Sequence, residues 1–552
     1  MPSLKSFVVK INNSSKDYFF FYGTSSLVFF IFLFCPYVFL HKFSDPYTTI
    51  KWISLLLCIN LILFFFLFKA KKITFPKIPK VSLYILSFIL CMMIINSYMH
   101  NVPLISYEHI RRFIFWGTAA FFFNFFCTEK EEGFLKIEKV IFLSSLIFII
   151  LALAQFILHP DSLPYLTLGN INLSAEFIGF SLAFQFGFLS RQWTQLKKSW
   201  EINLLTSLSF TYIYVTNCRS VIIGSILILA FSILTNRKFF IENLKIIILS
   251  IILIFSLKQL ILLIYPDLAL VSFTDKSSSF RWLLYTDTLQ MIYKNPLGVG
   301  LGQFEFGALP YFGSLFPSLN ERLLFSNPHD EFLYYLAEEG VILCFLLFLL
   351  GLSICYFLWN DIKKVLLSRS DILYFFIMLF VQALFQFPLL EPLPYFMTAL
   401  MMGYFFFLLP TNRVSYELKR GPRVALIGLN FLATLIFIIS FSAKYISFNF
   451  PYNEPLNKLA CSYGNRNWLA CLNVSYSYLN KRDYESAASY ASRTLNWQPL
   501  NYQGLKFLGL AQLYDGNRRG ACLLFNRYDS LFQNKSSLHD LIMKECPPPS
   551  AN

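Results

Sequence analysis

The sequence is poor in charge and histidine, and it lacks the short signatures that grip metals and nucleotides. Only 14% of its 552 residues are Asp, Glu, Lys or Arg, and only six are His. It has no Asp-x-Asp, no Gly-x-x-x-x-Gly-Lys-Ser/Thr and no Cys/His cluster with metal-ligand spacing. No cofactor and no metal is therefore expected. A phosphate ligand would have its charge offset by arginines rather than by a bound metal.

What is present is apolar. Hydrophobic residues make up 56% of the chain, with 65 Phe and 31 Tyr. Runs of ~20 apolar residues, each long enough to cross a hydrocarbon core, recur from Phe19 to Ser442. This predicts an all-α polytopic membrane protein with about 13 transmembrane helices, the first over 19–40, others over 246–265 and 331–358 among them, and the last over 424–443. Lys5, Lys10 and Lys16 precede the first run. No small-residue cleavage site follows it, so an uncleaved first span is expected.

Orientation follows from the basic residues of the loops. With the N-terminus in the cytoplasm, alternate loops carry Lys69, Lys71, Lys72, Lys130, Lys136, Arg191, Lys197, Arg237, Lys363 and Arg413, among others. The short external loops keep only Lys42, Lys51, Arg111, Arg112 and Arg219. Most of the net charge of +15 is thus topological, and nucleic acid is not an expected partner. The same topology puts a large loop over 266–330 and everything after Lys444 outside.

A transmembrane domain over 1–444 and a small helical domain over 455–552 are predicted. The second contains a repeat: Ser475, Ala487 and Ala491 recur 34 residues on as Gly509, Ala521 and Phe525. A 34-residue period with small residues at helix crossings resembles the tetratricopeptide repeat. Such a tail can hold a partner protein or cap the external loop. Its four cysteines allow Cys461–Cys471 and Cys522–Cys546 bridges, or four buried thiols.

The external loop carries the chemistry. In Ser326-Asn-Pro-His-Asp-Glu-Phe-Leu333, Asn327 and Pro328 are read as a helix start with Asp330 as an acidic capping residue, which puts His329 in the first turn. There the helix dipole disfavours its protonation, as suits a general base or an acceptor-orienting group. The alternative is a hydrogen-bonded structural histidine at the interface. Ser277 to Ser279 are read as capping another helix, with Arg281 in its first turn as an anion site. Headgroup anchoring is the alternative for Arg281. Arg219 occupies a very short external turn where a charge is costly, which marks it as functional. Arg111 and Arg112 open another span from outside, where positive residues are otherwise scarce, and snorkelling anchors are the simpler account of the pair.

Gly169-Asn-Ile-Asn-Leu-Ser-Ala-Glu176, Asn217-Cys-Arg-Ser220, Phe280-Arg-Trp282, Asn295-Pro-Leu-Gly-Val-Gly-Leu-Gly302 and Pro328-His-Asp-Glu-Phe-Leu333, with Glu338/Glu339-Gly340, follow one another in this order. The order resembles the O-antigen ligase/polymerase superfamily, which includes bacterial O-linked oligosaccharyltransferases, and the resemblance covers most of residues 20–445. It implies en bloc transfer of an oligosaccharide from undecaprenyl pyrophosphate to an acceptor hydroxyl, without a metal. The acceptor would be lipid A-core, a periplasmic or pilin-like protein, or a growing glycan. It further implies that Arg219 and Arg281, with Arg111 and Arg112, bind the pyrophosphate, that His329 activates or orients the hydroxyl, and that the chain sits in a bacterial inner membrane with its N-terminus in the cytoplasm and its C-terminus in the periplasm. Asp330 stands where many relatives have Asn, and Cys218 where Ser is common. A polymerase and a polysaccharide flippase are the other readings. No internal repeat of the span pattern favours the flippase.

Overall fold

A computed structural model describes Ile31 and residues 48–69, 72–76, 79–100, 107–158, 171–193, 200–235, 248–253, 255–256, 259, 276–314, 327–409, 413–417, 419–463, 467–531 and 538–546. The expected first span lies outside this set apart from Ile31, as does most of the one over 246–265. The architecture is all-α, with one short ribbon. In chain order the elements are α1 Thr48–Lys69, β1 Lys72–Pro76, α2 Lys80–Met99, α3 Tyr107–Leu158, α4 Ile171–Trp193, α5 Trp200–Thr216, α6 Arg219–Thr235 and α7 Lys276–Lys294. There follow α8 Glu331–Glu339, α9 Val341–Ser368, α10 Ser370–Phe385, α11 Pro392–Leu408, β2 Arg413–Glu417 and α12 Arg420–Asn449. The tail adds α13 Glu454–Tyr463, α14 Trp468–Asn480, α15 Tyr484–Trp497, α16 Tyr502–Tyr514, α17 Arg518–Leu531 and α18 His539–Glu545.

Among the described residues, six helices are long and apolar enough to cross a membrane: α1, α2, the second half of α3, α4, α9 and α12. α3 is one helical run of 52 residues, yet it cannot be a straight rod. Phe115 and Phe148 would then lie about 50 Å apart at 1.5 Å per residue. Instead Phe115 packs on Tyr395 (5.1 Å) and Phe148 on Phe177 (5.8 Å). Phe177 and Leu393 in turn line one small cavity. The chain therefore reverses between Phe126 and Phe134, whose rings both meet Tyr404.

Polar side chains inside the bundle satisfy each other, as burial in an apolar medium demands. Ser145 on α3 donates to Ser181 on α4 at 2.6 Å, and Gln185 donates to Ser181 and to Ser209 on α5 (3.1 Å each). At the end of the bundle away from Phe385, Arg191 pairs with Glu138 and Asp371, and Arg369 with Asp371 and Glu131.

The β1–β2 ribbon, absent from the sequence reading, joins two basic loops in antiparallel register from Lys72↔Glu417 to Pro76↔Arg413. Asn124 on α3 fastens it, accepting from the Thr74 N–H (2.8 Å) and donating to the Thr74 carbonyl (3.1 Å).

The span expected over 331–358 is instead two helices. Gly340, at φ +86°, separates α8 from α9.

Candidate functional site

The site is built where α7 and α8 meet the ends of α6 and α10. Asp330, in extended conformation, accepts the Leu333 N–H at 2.8 Å and is the N-cap of α8. The helix start expected with Pro328 as its first residue is thus displaced by three. The cause is His329, whose φ of +57° is a left-handed conformation that no helical turn accommodates in a residue with a Cβ. Asn327 Oδ1 accepts the His329 N–H at 3.1 Å, and the Tyr285 hydroxyl donates to the His329 carbonyl at 3.1 Å. These bonds hold a backbone geometry that costs free energy, a feature that clusters at functional sites.

The His329 imidazole lies 5.5 Å from the Phe387 ring. Burial, and then the Arg281 charge, pull its pKa down to about 4. The depression expected from a helix dipole is real, but its causes are these two. The ring is neutral at neutral pH, and Nδ1 is buried without a hydrogen-bond partner among the described residues.

Arg281 lies in the second turn of α7, because the helix begins at Lys276 and takes Ser277 to Ser279 into its first turn. The guanidinium is therefore not at the helix N-terminus that the serines were expected to cap. It reaches instead toward the C-terminal end of α10, 3.5 Å from the Phe385 carbonyl, where a cation is favoured. Its charge acts on His329, Tyr285, Glu176 and Cys218. Arg219 is the first residue of α6 and is exposed, directly after Cys218 and the left-handed Asn217 (φ +51°). Ser220 ties this turn to α10 by donating to Gln382 at 3.0 Å. Arg281 and His329 are thus brought together, and Arg219 stands on the neighbouring turn.

Arg111 and Arg112 approach α8 from α3. Arg112 is ion-paired with Glu339, and its guanidinium lies 5.2 Å from the centre of the Tyr335 ring. Arg111 is buried, with its guanidinium 5.7 Å from the Trp52 ring, and its charge acts on Glu331 and Tyr335.

The Asn295–Gly302 stretch clasps the end of α8. Val299 and Gly300 donate to the Ala337 and Glu338 carbonyls (2.9 and 3.0 Å), and Val341 donates back to Pro296 (2.9 Å). A Cβ on Gly298 or Gly340 would strike the opposing backbone. The tail grips the same loop: Phe306 and Leu309 share a core with Tyr502, Leu505, Phe525 and Tyr528, and Phe306 packs edge-on against Trp468 at 5.4 Å. Inside the tail, Ser475 donates to the Ala487 carbonyl at 2.8 Å, and both disulfides, Cys461–Cys471 and Cys522–Cys546, are formed. A cleft of about 400 Å³ lined by Thr286, Leu289, Gln290, Tyr293, Lys294 and Tyr311 lies on another face of α7 from Arg281.

Two acidic groups escaped the sequence reading as site residues. Glu331 is buried in α8 and accepts the Leu389 N–H at 3.0 Å; burial pushes its carboxyl up to about 7. Glu176 is fully buried in the second turn of α4. The available signal was the expense of a carboxylate inside an apolar run.

By its helices this is a polytopic membrane protein, with a strained histidine and an arginine gathered at one end of the bundle. Residues 204–349 match the family model Wzy_C, described as O-antigen ligase. No curated protein matches the sequence. The matched segment contains Arg219, Arg281, His329 and Glu331, whereas Arg111, Arg112, Glu176 and the tail lie outside it.

Proposed function

We propose that the protein is a glycan ligase that moves an oligosaccharide en bloc from undecaprenyl pyrophosphate to an acceptor hydroxyl, on lipid A-core or on a periplasmic protein. The observation that carries this reading is the junction of Arg281 with a neutral, unpartnered His329 inside the family-matched segment. The acceptor oxygen attacks the anomeric carbon while the bond to the pyrophosphate breaks, and its electron pair leaves on the phosphate. Arg281 and Arg219 offset the charge that develops there. Losing one such preorganised contact costs about 3–4 kcal/mol of barrier, or roughly 10²–10³ in rate. His329 holds the acceptor hydroxyl through Nδ1. Arg111 and Arg112, already engaged with Trp52, Tyr335 and Glu339, serve as fasteners of α8 next to the pyrophosphate. The basic loops face the cytoplasm and the site faces the periplasm, which the Lys/Arg asymmetry supports. The tail secures the loop and receives the acceptor.

The test is transfer by the purified full chain from undecaprenyl-pyrophosphate glycan, with EDTA present and lipid A-core and periplasmic protein extract offered together. Labelled lipid or labelled protein is expected, with loss of product in R281A and H329A. Lengthened donor glycan with neither acceptor labelled would make the protein a polymerase. No transfer by a folded wild type overturns the reading in favour of transport or scaffolding.

A further inference from the structure

One face of α7 has no part in that scheme. Trp282, Thr286, Leu289 and Tyr293 recur at the spacing that aligns side chains along a helix, and all four are exposed. Tyr293 is 82% exposed and Trp282 71%. Large rings left this far out, in register with one another, mark a surface that something covers. The stripe begins next in sequence to Arg281. It ends in the cleft of about 400 Å³, where Gln290, Lys294 and Tyr311 join Thr286, Leu289 and Tyr293. That volume is in the range of ordinary ligand sites.

The cleft has a built wall. Asn295 donates to the Tyr311 hydroxyl and to the Met291 carbonyl, both at 3.0 Å, so the hydroxyl is held in place and keeps its own hydrogen to donate. Leu309, two residues before Tyr311, belongs to the core shared with the tail, which therefore braces this wall. On the α7 side the Thr286 hydroxyl donates to the Trp282 carbonyl at 3.0 Å and keeps lone pairs for another donor. The Lys294 ammonium lies 5.8 Å from the centre of the Tyr293 ring, and Gln290 offers both a donor and an acceptor. A sugar ring matches this set: its C–H face stacks on an aromatic ring, and its rim of hydroxyls both donates and accepts. An acyl chain laid in the same place would leave the polar groups unpaired.

The position on α7 selects the donor as the source of that sugar. In the transfer reading the pyrophosphate sits at Arg281, and the acceptor arrives at His329, which is tied to α7 through Tyr285. Tyr285 and Arg281 share one side of the helix, and the stripe lies on another. Tyr293 stands about 18 Å along the axis from Arg281 at 1.5 Å per residue, a distance that several linked sugars cover.

We infer that this stripe and cleft hold the sugars of the donor glycan beyond the one joined to the pyrophosphate, with one ring stacked on Tyr293 and hydrogen-bonded to Gln290 and Tyr311. This rests on the transfer reading above. Contacts to the remote sugars help to orient the reacting one, so complete glycans are favoured over partly built ones before any bond breaks.

The experiment offers two donors in the same transfer assay: the lipid-linked glycan of the producing cell, whole or trimmed by glycosidases to its first sugar. Wild type, Y293A, Q290A and Y311F are measured with acceptor saturating and again with donor saturating. Wild type is expected to favour the whole glycan by about 30-fold or more in kcat/KM. Y293A should lose about tenfold with the whole donor and stay within about twofold with the trimmed one. Q290A and Y311F should each lose about three- to fivefold in the same selective way. The free glycan, released from lipid and pyrophosphate, should compete with the whole donor on wild type and about tenfold less well on Y293A. This competition also serves a wild type that leaves the trimmed donor untouched. Equal use of both donors by wild type overturns the inference while leaving transfer intact. Equal losses with both donors in Y293A overturn it too, and would make the stripe a lipid-facing or structural surface. A loss confined to the acceptor KM would give the cleft to the acceptor instead. A wild type that transfers neither donor refutes the transfer reading, and the cleft is then judged by calorimetric binding of the free glycan to wild type and Y293A.

Discussion

The Tyr285 hydroxyl donates to the backbone carbonyl of His329 at 3.1 Å, so the strained residue of the site is tied to the helix that carries Arg281. Y285F removes one hydrogen bond and no packing. It should cost about 1 kcal/mol of stability and about tenfold in transfer rate, as His329 drifts from its geometry. Thermal midpoint and kcat, measured on one preparation, check this. An unchanged rate would mean that Asn327 alone holds the turn.

Asp330 and His329 divide a job that the sequence seemed to give to Asn327. Because Asp330 Oδ1 caps α8, D330A should lose about 1 kcal/mol, whereas D330N, which also offers an oxygen, should stay within a few tenths. Thermal midpoints of the two variants decide the matter. Equal losses would show that the negative charge at the helix N-terminus matters more than the hydrogen bond.

The length of the apolar runs made the membrane bundle legible, and the order of short polar stretches made the family legible. Arg281 and His329 stood out because charge is scarce in the loops. The cap frame was misread because nothing local announces a left-handed His329; the tertiary bonds from Tyr285 and Asn327 impose it. Glu176 and Glu331 were hidden for a similar reason. Each reads as an ordinary residue near a helix start, and only tertiary packing buries both. The reversal inside α3 was legible as the basic loop that carries Lys130 and Lys136, although the helix runs on through it.

Gly340 is the joint between the site helix and a membrane helix. At φ +86°, and with the Leu297 backbone where a Cβ would stand, it tolerates no side chain. G340A should cost about 1–3 kcal/mol and shift α8 with its Asp330 and Glu331. G351A is the control, in the middle of α9 with nothing within 4 Å of an added Cβ. It should be neutral or stabilising by up to about 1 kcal/mol. Equal midpoints for the two variants would deny Gly340 its special role.

The ion-pair group at the far end of the bundle separates stability from catalysis. Arg191 joins Glu138 and Asp371, both fully buried, and its guanidinium stacks 5.6 Å from the Phe134 ring. Asp371 opens α10 and Phe385 closes it beside Arg281, 14 residues on, which sets the group about 20 Å from the site at 1.5 Å per residue. R191M leaves buried Glu138 without its cation and Asp371 held by Arg369 alone, and should cost about 3–5 kcal/mol. The protein that still folds should keep its kcat and donor KM, since no group beside His329 or Arg281 has changed. A lowered kcat in folded R191M would mean that the two ends of α10 are coupled, and α10 would then transmit strain between them rather than serve as a rigid strut.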